Sequence, residues 1–300
     1  MTTVLSVTGA QEVVANGSMT TSTTQRAKTQ LSAPPDITAA KTTVDDLGVR
    51  AVSFRGTAHD LFGEPRQDSF AFAASDDWVV LIVSDGIGSC EHSHHGSFAA
   101  VNAIATAVES AELDPSDGDR VLAAAAEAAR DAAQSLDVPS KAVSATLTVA
   151  AVERIAQADG SRHAIIHAVG DSPALRLDPE TAAWTYLTPT DDGPSNVVRS
   201  WVPDRAAEFT SFGVTIPAGS VLVLASDGFT TPLGDGSGPL GTDLAVRWAA
   251  GPRELLPFLV DLSFNAYHDD KTVVAMWNLA AEPDINIDVD PEPEIGNADV

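Results

Sequence analysis

The sequence predicts an α+β fold in which groups of short strands are separated by blocks of helix. Residues 49–83 contain three short apolar or alternating segments, and residues 144–187 contain four more, most of them bounded by Gly, Pro, Asp or Ser. Two consecutive helical patterns separate these groups, and two others precede the last strand. Strands and helices therefore occur in runs, whereas a doubly wound fold would alternate them.

The first three predicted strands differ in their patterns. Residues 49–54 alternate weakly, residues 69–73 alternate with a period of two, and residues 79–83 are apolar throughout. A continuous apolar run of this length is typical of a strand that is covered on both faces. We therefore expect the third strand to be fully buried.

Two helices are predicted next, over residues 97–113 and 117–136. The second is rich in Ala and follows a Pro-Ser-Asp sequence, whose residues suit turns and helix caps. The first has apolar residues at steps of three and four, namely Phe98, Val101, Ile104 and Val108.

The remaining pattern predicts four strands, a polar loop, another strand, two helices and a final strand. In order, these elements cover residues 144–152, 164–169, 174–177, 184–187, 188–205, 221–225, 242–250, 252–264 and 272–277.

The two ends of the chain differ in composition from the region between them. The first 46 residues are rich in Thr, Ser, Ala and Gln and offer little apolar surface to offset the entropy cost of ordering. Residues 281–300 hold seven acidic residues, three Pro and no basic residue. We expect a disordered arm over residues 1–46, one folded domain over residues 47–279 and a disordered acidic tail over residues 280–300.

Charge and composition restrict the possible partners. The 17 Lys and Arg residues face 42 Asp and Glu residues, which gives a net charge of −25 and argues against nucleic-acid or anionic-membrane partners. The single cysteine, Cys90, excludes an internal disulfide framework. Because the chain has neither a signal-peptide pattern nor an apolar run of 18 residues, we expect a cytoplasmic protein.

An Asp-Gly pair follows an apolar run at two distant places in the chain. Residues 79–83 lead into Ser-Asp85-Gly86, and residues 221–225 lead into Ser-Asp227-Gly. If the two strands lie side by side, Asp85 and Asp227 converge. Two carboxylates at that distance repel each other unless a proton or a cation lies between them, so this pair predicts a metal site.

Two other aspartates stand at strand ends. Asp68 precedes the second predicted strand, and Asp269 precedes the last one. Hard oxygen donors without nearby Cys or paired His ligands favour Mg²⁺ or Mn²⁺ over Zn²⁺. We interpret the set as a two-metal site that activates water.

Six motifs in order resemble those of the metal-dependent serine/threonine protein phosphatases of type 2C, the PPM family. The resemblance spans roughly residues 50–279 and implies a four-layer αββα sandwich, in which helices flank two central antiparallel β-sheets. It also implies a cleft with two Mn²⁺ or Mg²⁺ ions at one end. The motifs are Arg66-Gln-Asp68, Val83-Ser-Asp-Gly-Ile-Gly88, Ser144-Ala-Thr146, Val169-Gly-Asp-Ser172, Ala225-Ser-Asp-Gly228 and Asp269-Asp-Lys-Thr272.

The resemblance also implies roles for single residues. Asp85 would bridge both ions, and the backbone carbonyl of Gly86 would bind the second. Asp227 and Asp269 would complete the first metal site, and Asp68 would orient a metal-bound water. The implied activity is hydrolysis of phosphoserine or phosphothreonine in a protein, the target of a cognate kinase, by activated water without a covalent intermediate.

The chain departs from the family pattern at several positions. Gln67 replaces a Glu that serves the second metal, and Gly63 replaces an Arg that binds phosphate. Arg66 or His59 would have to take over the phosphate contact. Ile87 stands where some members have a His that is proposed as the general acid.

These departures leave alternatives open. The chain would then be a weak or inactive PPM-like module that binds a phosphoprotein or partner, or a phosphatase for a small metabolite. Lys141 occupies a place near which some members bind a third metal, and it is not an acid. The three His of residues 91–95 are either solvated or a transition-metal site.

Overall fold

The elements of the fold are described here for residues 3–7, 36–189, 199–206, 208–264 and 268–279 of a computed structural model. Within these residues the strands are β1 Thr3–Val7, β2 Ile37–Val44, β3 Leu47–Phe54, β4 Ser69–Ala74, β5 Trp78–Ser84, β6 Leu147–Glu153, β7 Arg162–Val169, β8 Ala174–Asp178, β9 Ala183–Tyr186, β10 Thr210–Ile216, β11 Val221–Ala225 and β12 Lys271–Asn278. The helices are α1 Thr57–Phe62, α2 Ser93–Glu109, α3 Gly118–Ser135, α4 Asp227–Leu233, α5 Pro239–Trp248 and α6 Leu255–Asp261, with a 3₁₀ helix at Ser140–Val143.

The strands form two antiparallel sheets. The seven-stranded sheet has the order β1-β2-β3-β12-β11-β8-β9, and the five-stranded sheet has the order β10-β7-β6-β5-β4. A buried apolar core joins the two sheets and includes Val49, Leu81, Ile166, Leu224 and Met276. The α+β sandwich expected from the sequence is confirmed.

Helices cover the outer faces of both sheets. Helices α2 and α3 pack on the five-stranded sheet through a core that includes Ile82, Val101 and Val149. Helices α4, α5 and α6 pack on the other sheet through a core rich in aromatic residues, including Trp248 and Trp277. Each central strand is therefore covered on both faces, which explains its continuous apolar sequence.

Strand β5 illustrates this double burial. Leu81 belongs to the core between the sheets, whereas the neighbouring Ile82 belongs to the core beneath α2 and α3. Successive side chains of a strand point to opposite faces, so a strand between two apolar layers needs apolar residues at every position. The predicted full burial of residues 79–83 is confirmed.

The arm predicted over residues 1–46 ends too late. Residues 37–44 form β2, which pairs along β3, and residues 3–7 form β1, which pairs with β2. The composition of this segment is polar, but Thr suits a strand, since backbone pairing needs no apolar side chain. Residues 8–35 and the predicted tail, residues 280–300, lie outside the described residues.

The sequence patterns also miss three short or exposed elements, α1, α4 and β10. In addition, the convergence of Asp85 and Asp227 was expected from neighbouring strands, but β5 and β11 are not neighbours. They belong to different sheets, and both contribute side chains to the core between them. Their carboxylates therefore meet across the sandwich.

Candidate metal centre

Four aspartates are placed at one end of the sandwich by four strand ends. Asp68 precedes β4 and Asp85 follows β5, and these strands are neighbours in one sheet. Asp227 follows β11 and Asp269 precedes β12, which are neighbours in the other sheet. Because both pairs are antiparallel, the end of one strand lies beside the start of its neighbour. Each sheet thus contributes two carboxylates.

The electrostatics show that these carboxylates interact. Burial raises the pKa of Asp85 well above its usual range, and the charges of Asp68 and Asp227 raise it further. Burial also raises the pKa of Asp68 to about 7, with a further contribution from the charge of Asp270. The pKa of Asp227 is raised to about 7 by burial and then by the charge of Asp269.

A hydrogen bond joins the carboxyl groups of Asp68 and Asp85. It raises the pKa of Asp85 and lowers that of Asp68. A carboxyl pair in this arrangement carries a proton when no cation is present. The cluster is therefore an anionic site that a cation would stabilise.

The carboxylates open into a cleft of about 930 Å³. Asp85, Asp227 and Asp269 line it, together with Asp171, whose pKa is raised by burial. Asp68 lies behind this wall and is 1% exposed. The other lining residues are Gly86, Ile87, Gly88, Ser89, Cys90, Glu91, Lys141, Ala142, Ser144, Thr146 and Trp201.

The backbone of Asp85 is fixed by Thr146. The Asp85 amide donates to Thr146 Oγ1 at 3.0 Å, and the Thr146 amide donates to the Asp85 carbonyl at 2.7 Å. The Thr146 hydroxyl also hydrogen-bonds with that of Ser172 at 2.8 Å. The motifs Ser144-Ala-Thr146 and Val169-Gly-Asp-Ser172 thus position the turn that carries Asp85.

The two Asp-Gly pairs need glycine because backbone segments approach them closely. A Cβ atom on Gly228 would lie 1.9 Å from the carbonyl oxygen of Asp270. A Cβ on Gly86 would lie 2.9 Å from both Cβ and the carbonyl oxygen of Gln67. These contacts bring the strand ends that carry the carboxylates close together.

Asp270 is a buried site residue that the sequence reasoning did not single out. Its Oδ1 atom accepts hydrogen bonds from the Gly56 amide at 2.6 Å and from His59 Nδ1 at 2.8 Å, and its Oδ2 atom accepts one from the Gln67 amide. One carboxylate therefore ties together the segment before α1, α1 itself and the segment before β4. Its position after Asp269 was the available signal.

Neither candidate for the phosphate contact lines the cleft as the described residues form it. Arg66 is 5% exposed and donates from Nη1 to the Ser53 carbonyl at 3.0 Å. The hydrogen bond to Asp270 raises the pKa of His59 and ties its ring to the segment before β12. Their positions do not support the expected phosphate contact.

The donor chemistry of the site fits Mg²⁺ or Mn²⁺. Within the described residues, no three His, Cys, Asp or Glu side chains are grouped so that they could hold one ion. Mg²⁺ does not require such a group, since it keeps several waters and commonly binds one or two carboxylates. Gln67 Oε1 and Ser93 Oγ, both near the turn 85–88, are buried without a hydrogen-bond partner among the described residues, so polar capacity is left there for water or an ion.

The three His residues of the segment 91–95 are not part of the cleft lining. The rings of His94 and His95 have centroids 4.1 Å apart, and that of His92 lies 6.5 Å from His94. Burial, followed by the charges of the neighbouring rings, lowers the pKa of His94 to about 4. In the region described, they do not form a group that could hold a metal ion.

The sequence model of the protein phosphatase 2C family matches residues 55–256, which is more than half of the chain. The chain belongs to the protein phosphatase 2C family. The match contains Asp68, Asp85 and Asp227, whereas Asp269 lies beyond it. A search of curated proteins found no match.

Three solved structures, two of them of serine/threonine phosphatases, share the fold of this protein phosphatase 2C chain. The serine/threonine phosphatase of S. agalactiae aligns with a TM-score of 0.57 and 16% identity, over 77% of this chain and 99% of that one. Stp1 from Staphylococcus aureus aligns with a TM-score of 0.56 and 12% identity, over 79% and 95%. RsbX in complex with magnesium aligns with a TM-score of 0.51 and 15% identity, over 79% and 97%.

None of the helices in the described parts of the chain is both long and apolar enough to cross a membrane.

Proposed function

We propose that this chain is a metal-dependent protein serine/threonine phosphatase that hydrolyses phosphomonoesters at a binuclear Mn²⁺ or Mg²⁺ site. The single observation that carries this proposal is that Asp85, Asp227 and Asp269 line one cleft. These residues come from both sheets and meet at a cleft in a protein phosphatase 2C fold. The proposed partner is a phosphorylated protein, the target of a cognate kinase, in the cytoplasm.

Asp85, Asp227 and Asp269, with the carbonyl of Gly86, would hold the ions at the base of the cleft. When bound, the two ions would lower the pKa of a water molecule and neutralise phosphoryl oxygens. Asp68 would orient that water, since its own carboxylate is held by a hydrogen bond of 2.7 Å from Ser226 Oγ. Thr146 would keep the Asp85 turn in place while substrate binds.

No side chain needs to act as a nucleophile in this proposal. Cys90 lines the cleft and is a free cysteine, but the proposal gives its thiol no role. Ile87 also lines the cleft and has no proton to give. Water would therefore protonate the leaving alcohol, and the choice of substrate would depend on the walls of the cleft.

The direct test is Mn²⁺-dependent hydrolysis of p-nitrophenyl phosphate and of a phosphothreonine peptide. We expect Asp85→Ala and Asp227→Ala to lower kcat/KM at least about 100-fold, since each removes charge from the ion site. Asp131→Ala is the matched control, because Asp131 is exposed on α3, away from the cleft. Equal activity in all four proteins would reject the proposal.

A specific observation favours a second candidate, a weakly active or inactive module that binds a phosphoprotein. Gln67 is 4% exposed and presents a neutral amide oxygen where the family has a charged Glu. A neutral donor attracts a second cation less strongly than a carboxylate does. Gln67→Glu separates the two candidates: a marked gain in Mn²⁺ affinity and activity would favour the weak module, and no gain would favour the active phosphatase.

A further inference from the structure

The charges that line the cleft are unequal in number. Asp85, Asp171, Asp227, Asp269 and Glu91 are acidic. In the part of the chain that the structure describes, Lys141 is the only Lys or Arg of the lining. A phosphomonoester is a dianion at neutral pH, so the protein itself offers it one favourable charge among several unfavourable ones.

Lys141 stands on a rigid support. It belongs to the 3₁₀ helix Ser140–Val143, which is joined to the Asp85 turn because the Ile87 amide donates to the Ser144 carbonyl at 3.0 Å. The His92 amide, at the start of α2, donates to the Ala142 carbonyl at 3.0 Å. The backbone of Lys141 is therefore held in a fixed relation to the turn that carries Asp85.

Close packing supports the same segment from below. A Cβ atom on Gly96 would lie 1.8 Å from the carbonyl oxygen of Val143, so α2 approaches the 3₁₀ helix as closely as a glycine permits. On the other side, Ala145 and Val202 exchange two backbone hydrogen bonds of 3.1 and 2.9 Å. The support of Lys141 cannot move without breaking these contacts.

The ammonium group of Lys141 is available for a ligand. Its side chain is exposed at the cleft and makes no hydrogen bond or ion pair with the described residues. By contrast, Arg66 donates a hydrogen bond to the Ser53 carbonyl and His59 is hydrogen-bonded to Asp270. Gly63 has no side chain that could bind phosphate. Lys141 thus combines a positive charge with a position in the cleft wall, which neither expected phosphate contact occupies.

We propose that Lys141 binds the phosphoryl oxygens of the substrate and takes the part of the arginine that Gly63 replaces. This inference rests on the proposed phosphatase function and names the substrate contact at the same site. A lysine is a flexible point charge with three donors, so it suits a phosphoryl group that approaches from the open side of the cleft. Charge-assisted hydrogen bonds to phosphate are about twice as strong as neutral ones.

The test compares Lys141→Ala and Lys141→Arg with the wild-type protein. We expect Lys141→Ala to raise KM for the phosphothreonine peptide about tenfold and kcat to change much less, because a substrate contact is lost. Arginine should restore KM to within about threefold, since it retains the charge. Lys41→Ala is the control, because Lys41 lies on β2 and pairs with Glu254.

A second readout does not depend on turnover. In calorimetric titrations with Mg²⁺ present, we expect Lys141→Ala to weaken the binding of inorganic phosphate about tenfold and to leave Mg²⁺ affinity unchanged. Unchanged phosphate affinity and unchanged KM in Lys141→Ala would overturn the inference, even if the wild-type protein is an active phosphatase. If the wild-type protein hydrolyses no substrate, and Lys141→Ala binds inorganic phosphate less tightly than the wild type does, the proposed activity is contradicted and the proposed phosphate contact is supported.

Discussion

The carboxyl groups of Asp68, Asp85 and Asp227 are held where burial, followed by the charges of neighbouring aspartates, raises the pKa of each. Such a cluster opposes folding unless a ligand compensates it, and a protein of marginal stability retains it only for a function. Asp68 shows how the rest of the site is built around the cluster, since Ser226 donates to it and Thr272 donates in turn to Ser226. The side chains around Asp68 are therefore arranged to stabilise its charge.

The metal-free protein should lose stability as the pH rises. A carboxyl whose pKa is higher in the folded than in the unfolded chain binds more protons when folded, so the free energy of unfolding falls between the two pKa values. For Asp68 and Asp227 this window runs from about 4 in the unfolded chain to about 7. In EDTA, the free energy of unfolding from urea titrations should therefore be lower at pH 8 than at pH 5, by more than about 1 kcal/mol.

Two additions make that experiment specific. Mg²⁺ at pH 8 should restore the loss, because bound ligand stabilises the folded state. Asp85→Asn should flatten the pH dependence in EDTA, whereas Asp131→Asn, an exposed change on α3, should leave it as it is. Stability that rises steadily from pH 5 to pH 8 in the metal-free wild-type protein would contradict the assigned pKa shifts.

Asp270 should matter for stability more than for metal affinity. Asp270→Ala removes the acceptor for the amides of Gly56 and Gln67 and for His59, and buried donors without a partner are costly. We expect the free energy of unfolding to fall by about 3 kcal/mol, and by less in Asp270→Asn, which keeps one acceptor. Urea unfolding measures both, and a loss below about 0.5 kcal/mol in Asp270→Ala would show that these bonds are not needed.

At the scale of the secondary-structure elements, each strand end or turn of the site positions one carboxylate. Strand β5 and the turn after it are fixed by Thr146, and the start of α4 meets the segment before β12 so closely that only a glycine fits after Asp227. Asp-Gly is common in ordinary turns, so its meaning here comes from the backbone that passes beside it. The elements are therefore part of the site and not merely its support.

The Gly228→Ala variant tests whether the close backbone approach at Gly228 positions Asp227. The added Cβ would meet the Asp270 carbonyl, a backbone atom that cannot rotate away, so α4 and Asp227 must shift. We expect Mn²⁺ affinity to fall at least about tenfold and the free energy of unfolding to fall by about 1–3 kcal/mol. Gly238→Ala is the control, since nothing lies within 4 Å of the added atom. Equal Mn²⁺ affinity in both variants would mean that the close approach does not position Asp227.

The elements that the sequence predicts share one physical property. Strands β5, β6 and β11 are buried on both faces, so their composition alone indicates them. Strand β10 alternates between partly and fully exposed residues along most of its length, and β2 is rich in Thr, so neither has an apolar signal. Their pairing depends on neighbours that are distant in sequence, and a local pattern does not contain that information.

At the scale of the whole molecule, the site exists because two sheets are packed together. Asp68 and Asp85 belong to one sheet, and Asp227 and Asp269 to the other, and the core between the sheets holds them at one end. The sequence indicated these four carboxylates because each stands at a strand end. It did not indicate Asp270, or Lys141 as a phosphate contact, because these roles depend on which backbone amides and which cleft wall the side chains meet after folding.

The proposal that carboxylates from the two sheets together bind metal ions can be tested directly by locating the ions. An anomalous-scattering map at the manganese edge, from crystals grown with Mn²⁺, would locate every bound ion. We expect two peaks at the end of the sandwich, each in contact with at least one of the carboxylates of Asp85, Asp227 and Asp269. A well-ordered map with no peak in contact with any of these three side chains would contradict the proposed metal centre.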